Sequence, residues 1–357
     1  MAGPAGLSYL YIPPTSFASD SKQHEYYNLS SMTIASSSST SSSSTDYTTY
    51  PLISHNGRTY LRDPDNPYPL PCDLAEIHRQ SLRSLMLMHV FGAPFCSPHF
   101  NEDPPKRVLE IACGSALWSN ACHEYFAKRG HSNISFTGID IINIAPDLQK
   151  QSAVPLAEPL RVLRPGGVLE VWESDFIFRS LLPDPPAAPG LSERDQEQAD
   201  ATGTYTIFPA TPFADAQNPY LRDYNSWAEK AFELRKLTPM PCATINLSFT
   251  SESESFQSVD SRRIAIPLGE VKWEHTSNGG TTPRKHLTED QLTLRHTALL
   301  NVVQMIESME PILMEASEKG KAEWDRWWAG MTQDLLQKDG VASGECLEVG
   351  AWWGQKR

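Results

Sequence analysis

The chain has no Arg among its first 57 residues, no Lys/Arg run longer than two, no Cys-x-x-Cys pair, and no apolar stretch of a membrane span's length. Each absence excludes something. A mitochondrial targeting helix needs arginines, and a secretory signal needs a basic start followed by an apolar run, so neither is expected. A span would need roughly 20 apolar residues, so no membrane association is expected. Six cysteines scattered from Cys72 to Cys346 suit neither a zinc site nor a disulfide framework, and they read as reduced thiols. The three Asn-x-Ser sequons, at Asn28, Asn133 and Asn246, are then chance matches. With a formal charge of −13 and no basic patch, a nucleic-acid substrate is not expected. Walker, Gly-x-Ser-x-Gly and zinc signatures are missing too. The expected setting is cytoplasmic or nuclear, not secreted.

What is present begins with a hydroxyl-rich head. Ser36 to Ser44 has no apolar period, and residues 1–60 are expected to form a disordered Ser-rich tail. The remainder, 61–357, is expected to be one domain: a cap at 61–106, a core at 107–180, and helices with C-terminal strands at 181–357. After Tyr68-Pro-Leu-Pro71, Asp73 is placed to cap a helix that runs to about Phe91 and stops at Gly92. Its apolar face is expected at Leu74, Ile77, Leu85, Met88 and Phe91.

Arg107 to Ile111 reads as a buried strand and Leu117 to about Arg129 as a helix closed by Gly130. Between them lies the small-residue turn Ala112-Cys113-Gly114-Ser115-Ala116. A second strand, Ile134 to Ile139, ends at Asp140. This βαβ half aims backbone N–H groups and a helix N-terminus at one point, with an acid at the next strand tip to accept ribose hydroxyls. Dehydrogenases share the pattern, but no Gly-x-Gly-x-x-Gly is present, which leaves a nicotinamide dehydrogenase the third choice.

The run Val108-Leu-Glu-Ile-Ala-Cys-Gly-Ser-Ala-Leu-Trp118 resembles the first motif of class I S-adenosylmethionine-dependent methyltransferases, an acid-x-Gly-x-Gly-x-Gly signature. Two of the three glycines are Ala112 and Ala116 here. With alanine, cofactor binding requires negative φ and a methyl turned away from the ligand. Pro165-Gly-Gly-Val-Leu-Glu-Val-Trp-Glu173 looks like that family's turn and fifth strand, and the Tyr68-Pro-Leu-Pro71 segment resembles the cap of fungal members of the secondary-metabolism-regulator type. The resemblance implies an α/β, Rossmann-like doubly wound sheet binding S-adenosyl-L-methionine through Glu110, Ala112, Cys113, Gly114, Ser115, Ala116, Asp140 and Ile141. It implies a small-molecule methyl acceptor.

The family's third and fourth strands normally stand between Asp140 and Arg161, yet only twenty residues lie there. Two strands and two helices need about 30 or more. An internal deletion near Gln151 to Glu158 is therefore expected, with the fifth strand pairing directly with the first. The first alternative function is accordingly an inactive interaction or regulatory protein on this scaffold. Glu173 and Asp175, after the fifth strand, are the weak catalytic candidates as general bases, and His123 is a further titratable group. Beyond them, a helix from Pro219 capped by Asn218, a strand at 263–268, a helical insertion from Thr288 to about Gly340 and a last strand at 346–353 complete the expectation.

Overall fold

Asn56-Gly57 sits between two short β-prone runs, and both residues take positive φ, 48° and 77°. That is the turn a two-residue hairpin favours. It joins β1 (Leu52–His55) to β2 (Arg58–Leu61). The computed structural model describes residues 52–61, 68–140, 157–275, 286–337 and 339–357. The hairpin thus lies inside the stretch assigned to a tail, while residues 1–51, Ile141 and the expected join at 151–156 lie outside the described residues.

Helix α1 (Leu74–Phe91) starts and ends as its caps dictate. Asp73 accepts from the Glu76 N–H, and Gly92 closes it at φ 77°. Of the expected face only Phe91 is buried. Leu74 and Leu85 are exposed, whereas Glu76, Arg79 and Arg83 are buried beside Met86, Leu87, Val90 and Phe91. Apolar periodicity misplaced the stripe because this helix buries charges that satisfy one another: Glu76 takes two bonds from Arg79, and Arg79 also reaches Asn301.

After α2 (His99–Glu102) come β3 (Arg107–Ile111), α3 (Leu117–Ala127) and β4 (Ser135–Ile139). β3 and β4 are parallel, with Glu110 opposite Gly138, and they form a two-stranded sheet of their own. Val108, Phe136, Phe126, Cys122 and Phe95 make a small core beneath α3. The far face is open, Leu109 being 46% exposed, so β3 is not the buried strand its composition suggested.

A second, larger sheet follows α4 (Ala157–Val162): β5 (Val168–Ser174), β6 (Arg179–Leu181), then α5 (Glu193–Thr202), β7 (Tyr205–Ile207) and β8 (Phe213–Asp215). Helices α6 (Pro219–Leu234) and α7 (Pro241–Ser251) lead to β9 (Phe256–Pro267). Then α8 (Lys272–His275), α9 (Glu289–Ser308), α10 (Glu310–Ser317) and α11 (Lys321–Leu335) precede β10 (Glu345–Lys356). Asn218 caps α6 through two N–H groups, and Thr288 with Gln291 forms the capping box that opens α9.

β10 is the centre of this antiparallel sheet. β9 runs along one side, β5 and then β6 along the other, with β7 and β8 at the edges. Helices cover both faces. Trp352 packs with Leu160, Cys242, Ile245 and Phe249 on the α4/α7 side, while Ala351 and Trp353 join the main core of α1, α6 and α9–α11. Gly350 is required, since a Cβ there would lie 2.2 Å from the Trp352 ring. Trp324 and Trp327 pack at tilted angles against Trp227 in the main core rather than forming an open aromatic cage.

The chain is thus mixed α/β. One expectation about the sheet is overturned: β5 pairs only with β10 and β3 only with β4 among the described residues, so the fifth strand does not join the first. Antiparallel partners 175 to 187 residues downstream satisfy one edge of β5, and among the described residues nothing bridges its other edge to β3.

Candidate functional site

The turn after β3 has an unusual backbone. Ala112, Gly114 and Ala116 all take positive φ, at 59°, 50° and 66°. The requirement of negative φ at the two alanines is not met. Their backbone takes the conformation that glycine adopts freely, at a cost of about 1 kcal/mol or more for each alanine. The turn is anchored to the neighbouring strand tip, because Cys113 N–H reaches the Ile139 carbonyl at 3.1 Å and Gly114 N–H reaches Asp140 Oδ2 at 2.8 Å. Parallel pairing of β3 and β4 in register is what sets these groups side by side.

Glu110 points beneath the turn rather than into it. It is 2% exposed, and its Oε2 accepts from Ser119 Oγ of α3 at 2.5 Å. Burial drives its pKa well above the usual carboxylate range, with Asp140 pushing the same way. Cys113 is buried, and burial likewise raises its thiol, which suits packing and not nucleophilic attack. Ser115 shares a 2.9 Å hydroxyl contact with Ser81, tying the turn to α1. His123, on α3, stands edge-on to Phe136 of β4.

Glu173 and Asp175 are both buried, at 2% and 1% exposure. Their roles differ. Asp175 Oδ1 accepts from the Cys242 N–H at 2.9 Å, so it caps the first turn of α7, and Arg263 stands 3.8 Å away. Glu173 Oε1 is held by Arg83 at 2.8 Å and by the Ser174 N–H, while Oε2 is buried with no hydrogen-bond partner among the described residues. Burial lifts Glu173 to about 7 although Arg83 pulls the other way, and burial lifts Asp175 to about 6 with Glu348 adding to the rise.

Tyr68 and Arg83 join this group although sequence reasoning did not assign them to it, and a further buried acid, Glu170, stands apart on the same strand. Tyr68 has its hydroxyl pKa raised by burial and further by the charges of Glu76, Asp140 and Glu173, so it stands in the field of both strand-tip acids. Its Tyr-Pro-Leu-Pro motif was the available signal. Arg83 had none, being a charge on a helix face that composition marks as outward. Glu170 binds the Cys96 and Ser97 N–H groups at 2.7 and 2.9 Å and Trp172 Nε1 at 2.5 Å, and burial lifts it to about 7.

Among the described residues no group of three His, Cys, Asp or Glu side chains is placed to hold a metal, and no helix is long and apolar enough to cross a membrane. All six cysteines are free. No protein-family model matches the chain, and no curated protein matches it.

Proposed function

We propose that the chain is a class I type S-adenosylmethionine-dependent methyltransferase acting on a small-molecule acceptor. The observation that carries this reading is the contact between Gly114 N–H and the Asp140 carboxylate at the tips of two parallel strands, within a turn of alternating positive φ. A turn between a strand and a helix N-terminus is where a nucleotide-like ligand sits in a βαβ unit, and an acid in that place accepts ribose hydroxyls. The order β5, β10, β9, all antiparallel, agrees with the closing strands that the sequence resemblance implies.

The fit to the cofactor is partial: the Asp140 carboxylate would hold its ribose, whereas Ala112 and Ala116 depart from the negative φ expected for binding, and the N–H groups of Cys113, Gly114 and Ala116 are bonded to Ile139, Asp140 and Cys113. Bound S-adenosylmethionine supplies an electrophilic methyl group. The chain's own contribution is mainly positioning, which is where most of the rate of an in-line displacement comes from. Asp140 orients, Glu110 and Ser119 brace the start of α3, and Glu173, lifted to about 7, is suited to take a proton from an acceptor hydroxyl near neutral pH.

A second reading, a regulatory or interaction protein without turnover, is favoured by one observation: β3 and β5 are not joined, so the crevice between them lacks a common floor among the described residues. Calorimetric titration with S-adenosylmethionine, S-adenosylhomocysteine and NADH, beside a circular-dichroism spectrum, decides between them. Micromolar binding of the two sulfur nucleosides alone supports the methyltransferase. A folded chain that binds none supports the second reading, and binding of NADH alone would return the dehydrogenase.

A further inference from the structure

Asn56 and Gly57 are the two loop residues of the β1–β2 hairpin, and both are exposed. This pair carries a chemistry of its own. The side-chain amide of an asparagine is open to attack by the backbone nitrogen of the next residue, and glycine, having no Cβ, hinders that approach least. The attacking nitrogen must also be unengaged. Gly57 meets both conditions: its N–H makes no hydrogen bond among the described residues, and beyond its chain neighbours nothing lies within 4 Å of where a Cβ would stand. Asn225-Ser226 is the opposite case. It lies inside α6, where Asn225 Nδ2 and Oδ1 bond the Phe178 carbonyl and N–H at 2.7 and 3.0 Å.

The Asn56 amide has a structural task as well. Its Nδ2 donates to Glu310 Oε1 at 2.8 Å, which fastens the hairpin tip to the start of α10. The other end of β2 is held separately, by Arg58 on Asp73 and Ser308 and by the Tyr60 hydroxyl on the Ser308 carbonyl. A carboxylate at position 56 has no proton to donate and faces Glu310 as a like charge. Lys321 stands 3.4 Å from Glu310 but is already held by Asp325.

We propose that Asn56 is a self-modification site whose slow conversion unfastens the hairpin tip from α10. Gly57 N bonds to Asn56 Cγ while the Cγ–Nδ2 bond breaks, and the proton from Gly57 passes through water to the leaving amide, which departs as ammonia. Water then opens the cyclic imide at either carbonyl. One product is aspartate; the other is isoaspartate, whose main chain runs through the side-chain carbon. Water is the sole co-reactant, and nothing is oxidised or reduced. Isoaspartate further lengthens a loop whose size sets the register of the two strands. The proposal is independent of the methyltransferase reading, and its tests use no cofactor.

The full chain is held at mildly alkaline pH and body temperature, then digested and mapped by mass spectrometry beside a synthetic peptide of residues 52–61. Aspartate and isoaspartate are expected at position 56, formed no more than tenfold slower than in the peptide, while Asn225 stays intact. Slower conversion at position 56, or earlier conversion at Asn225, overturns the proposal. Separately, Asn56→Asp in freshly prepared chain reproduces the aspartate product. Its β1 amides are expected to exchange hydrogen at least tenfold faster than those of the parent with an unchanged circular-dichroism spectrum, and equal rates overturn the release of the tip.

Discussion

Asp140 Oδ2 accepts the Gly114 N–H at 2.8 Å, so the acid at the end of one strand locks the turn that follows its neighbour. A hydrogen bond to a charged group contributes about 1.5–3 kcal/mol. Asp140→Ala is expected to lower unfolding stability by that order and to abolish nucleoside binding, whereas Asp140→Asn keeps an acceptor and loses less of both. Urea titration and calorimetry on the same preparations measure the two effects.

Ala112 and Ala116 hold the left-handed conformation at φ 59° and 66°. Relief of that strain by glycine gains about 1–2 kcal/mol, and the unfolded-chain entropy of glycine returns about 0.5–1. Ala112→Gly and Ala116→Gly are each expected to stabilise by roughly 0.5–1 kcal/mol and to leave any ligand affinity intact or improved. Ala121→Gly, inside α3, is the contrast and is expected to destabilise by about 1 kcal/mol. Equal destabilisation at all three sites would mean that the turn is not strained.

Much of the local structure was legible because backbone groups at element ends must find partners. Asp73, Gly92, Asn218 and the Thr288–Gln291 box each do what their residue types predict. The βαβ half, with Asp140 at the tip of its second strand, was legible too, but the bond from Gly114 N–H to Asp140 was not, since the acid was assigned to ribose hydroxyls. The hairpin at Asn56-Gly57 carried a usable turn signal that the Ser-rich surroundings masked. The buried face of α1 was not legible, because Arg83 meets Glu173 only across 90 residues of chain. Nor was the sheet's extent: β9 and β10 each run 12 residues, against expected spans of six and eight, since their length is fixed by pairing with each other and not by local composition.

Stability is expected to fall as pH rises through the acid-to-neutral range. Burial raises Glu170 and Glu173 to about 7 and Asp175 to about 6. A carboxyl raised on folding holds more protons folded than unfolded between its two pKa values, so its neutral form stabilises the fold at the acid end and the advantage is lost towards the upper value. The window runs from roughly pH 4 to pH 7. Asp73 and Glu274 act oppositely: burial would raise them, but bonds from Arg58 and Arg295 outweigh it, and their contribution is lost only on acidification towards and below their lowered values. The urea midpoint should thus be higher at about pH 5.5 than at about pH 8, with Glu170→Gln flattening the difference. A midpoint that rises with pH over that interval would contradict these environments.

The Arg83–Glu173 pair is the connection between α1 and the carboxyl end of β5, at 2.8 Å and with both side chains almost wholly buried. Removing one partner leaves the other charge uncompensated. Arg83→Met is expected to cost about 3–5 kcal/mol, as breaking a buried pair does. Glu173→Gln alone strands the guanidinium less severely, because Ser174 Oγ also accepts from Arg83 at 3.0 and 3.2 Å. The double variant Arg83→Met, Glu173→Gln removes both charges and should recover most of the loss, giving a coupling of about 1–3 kcal/mol in a double-mutant cycle. If the pair serves only to dock α1, the recovered double variant keeps whatever nucleoside affinity the parent has and loses methyl transfer only through the missing Glu173 carboxylate. Measuring both quantities on that one protein therefore separates the pair's structural part from Glu173's chemical part.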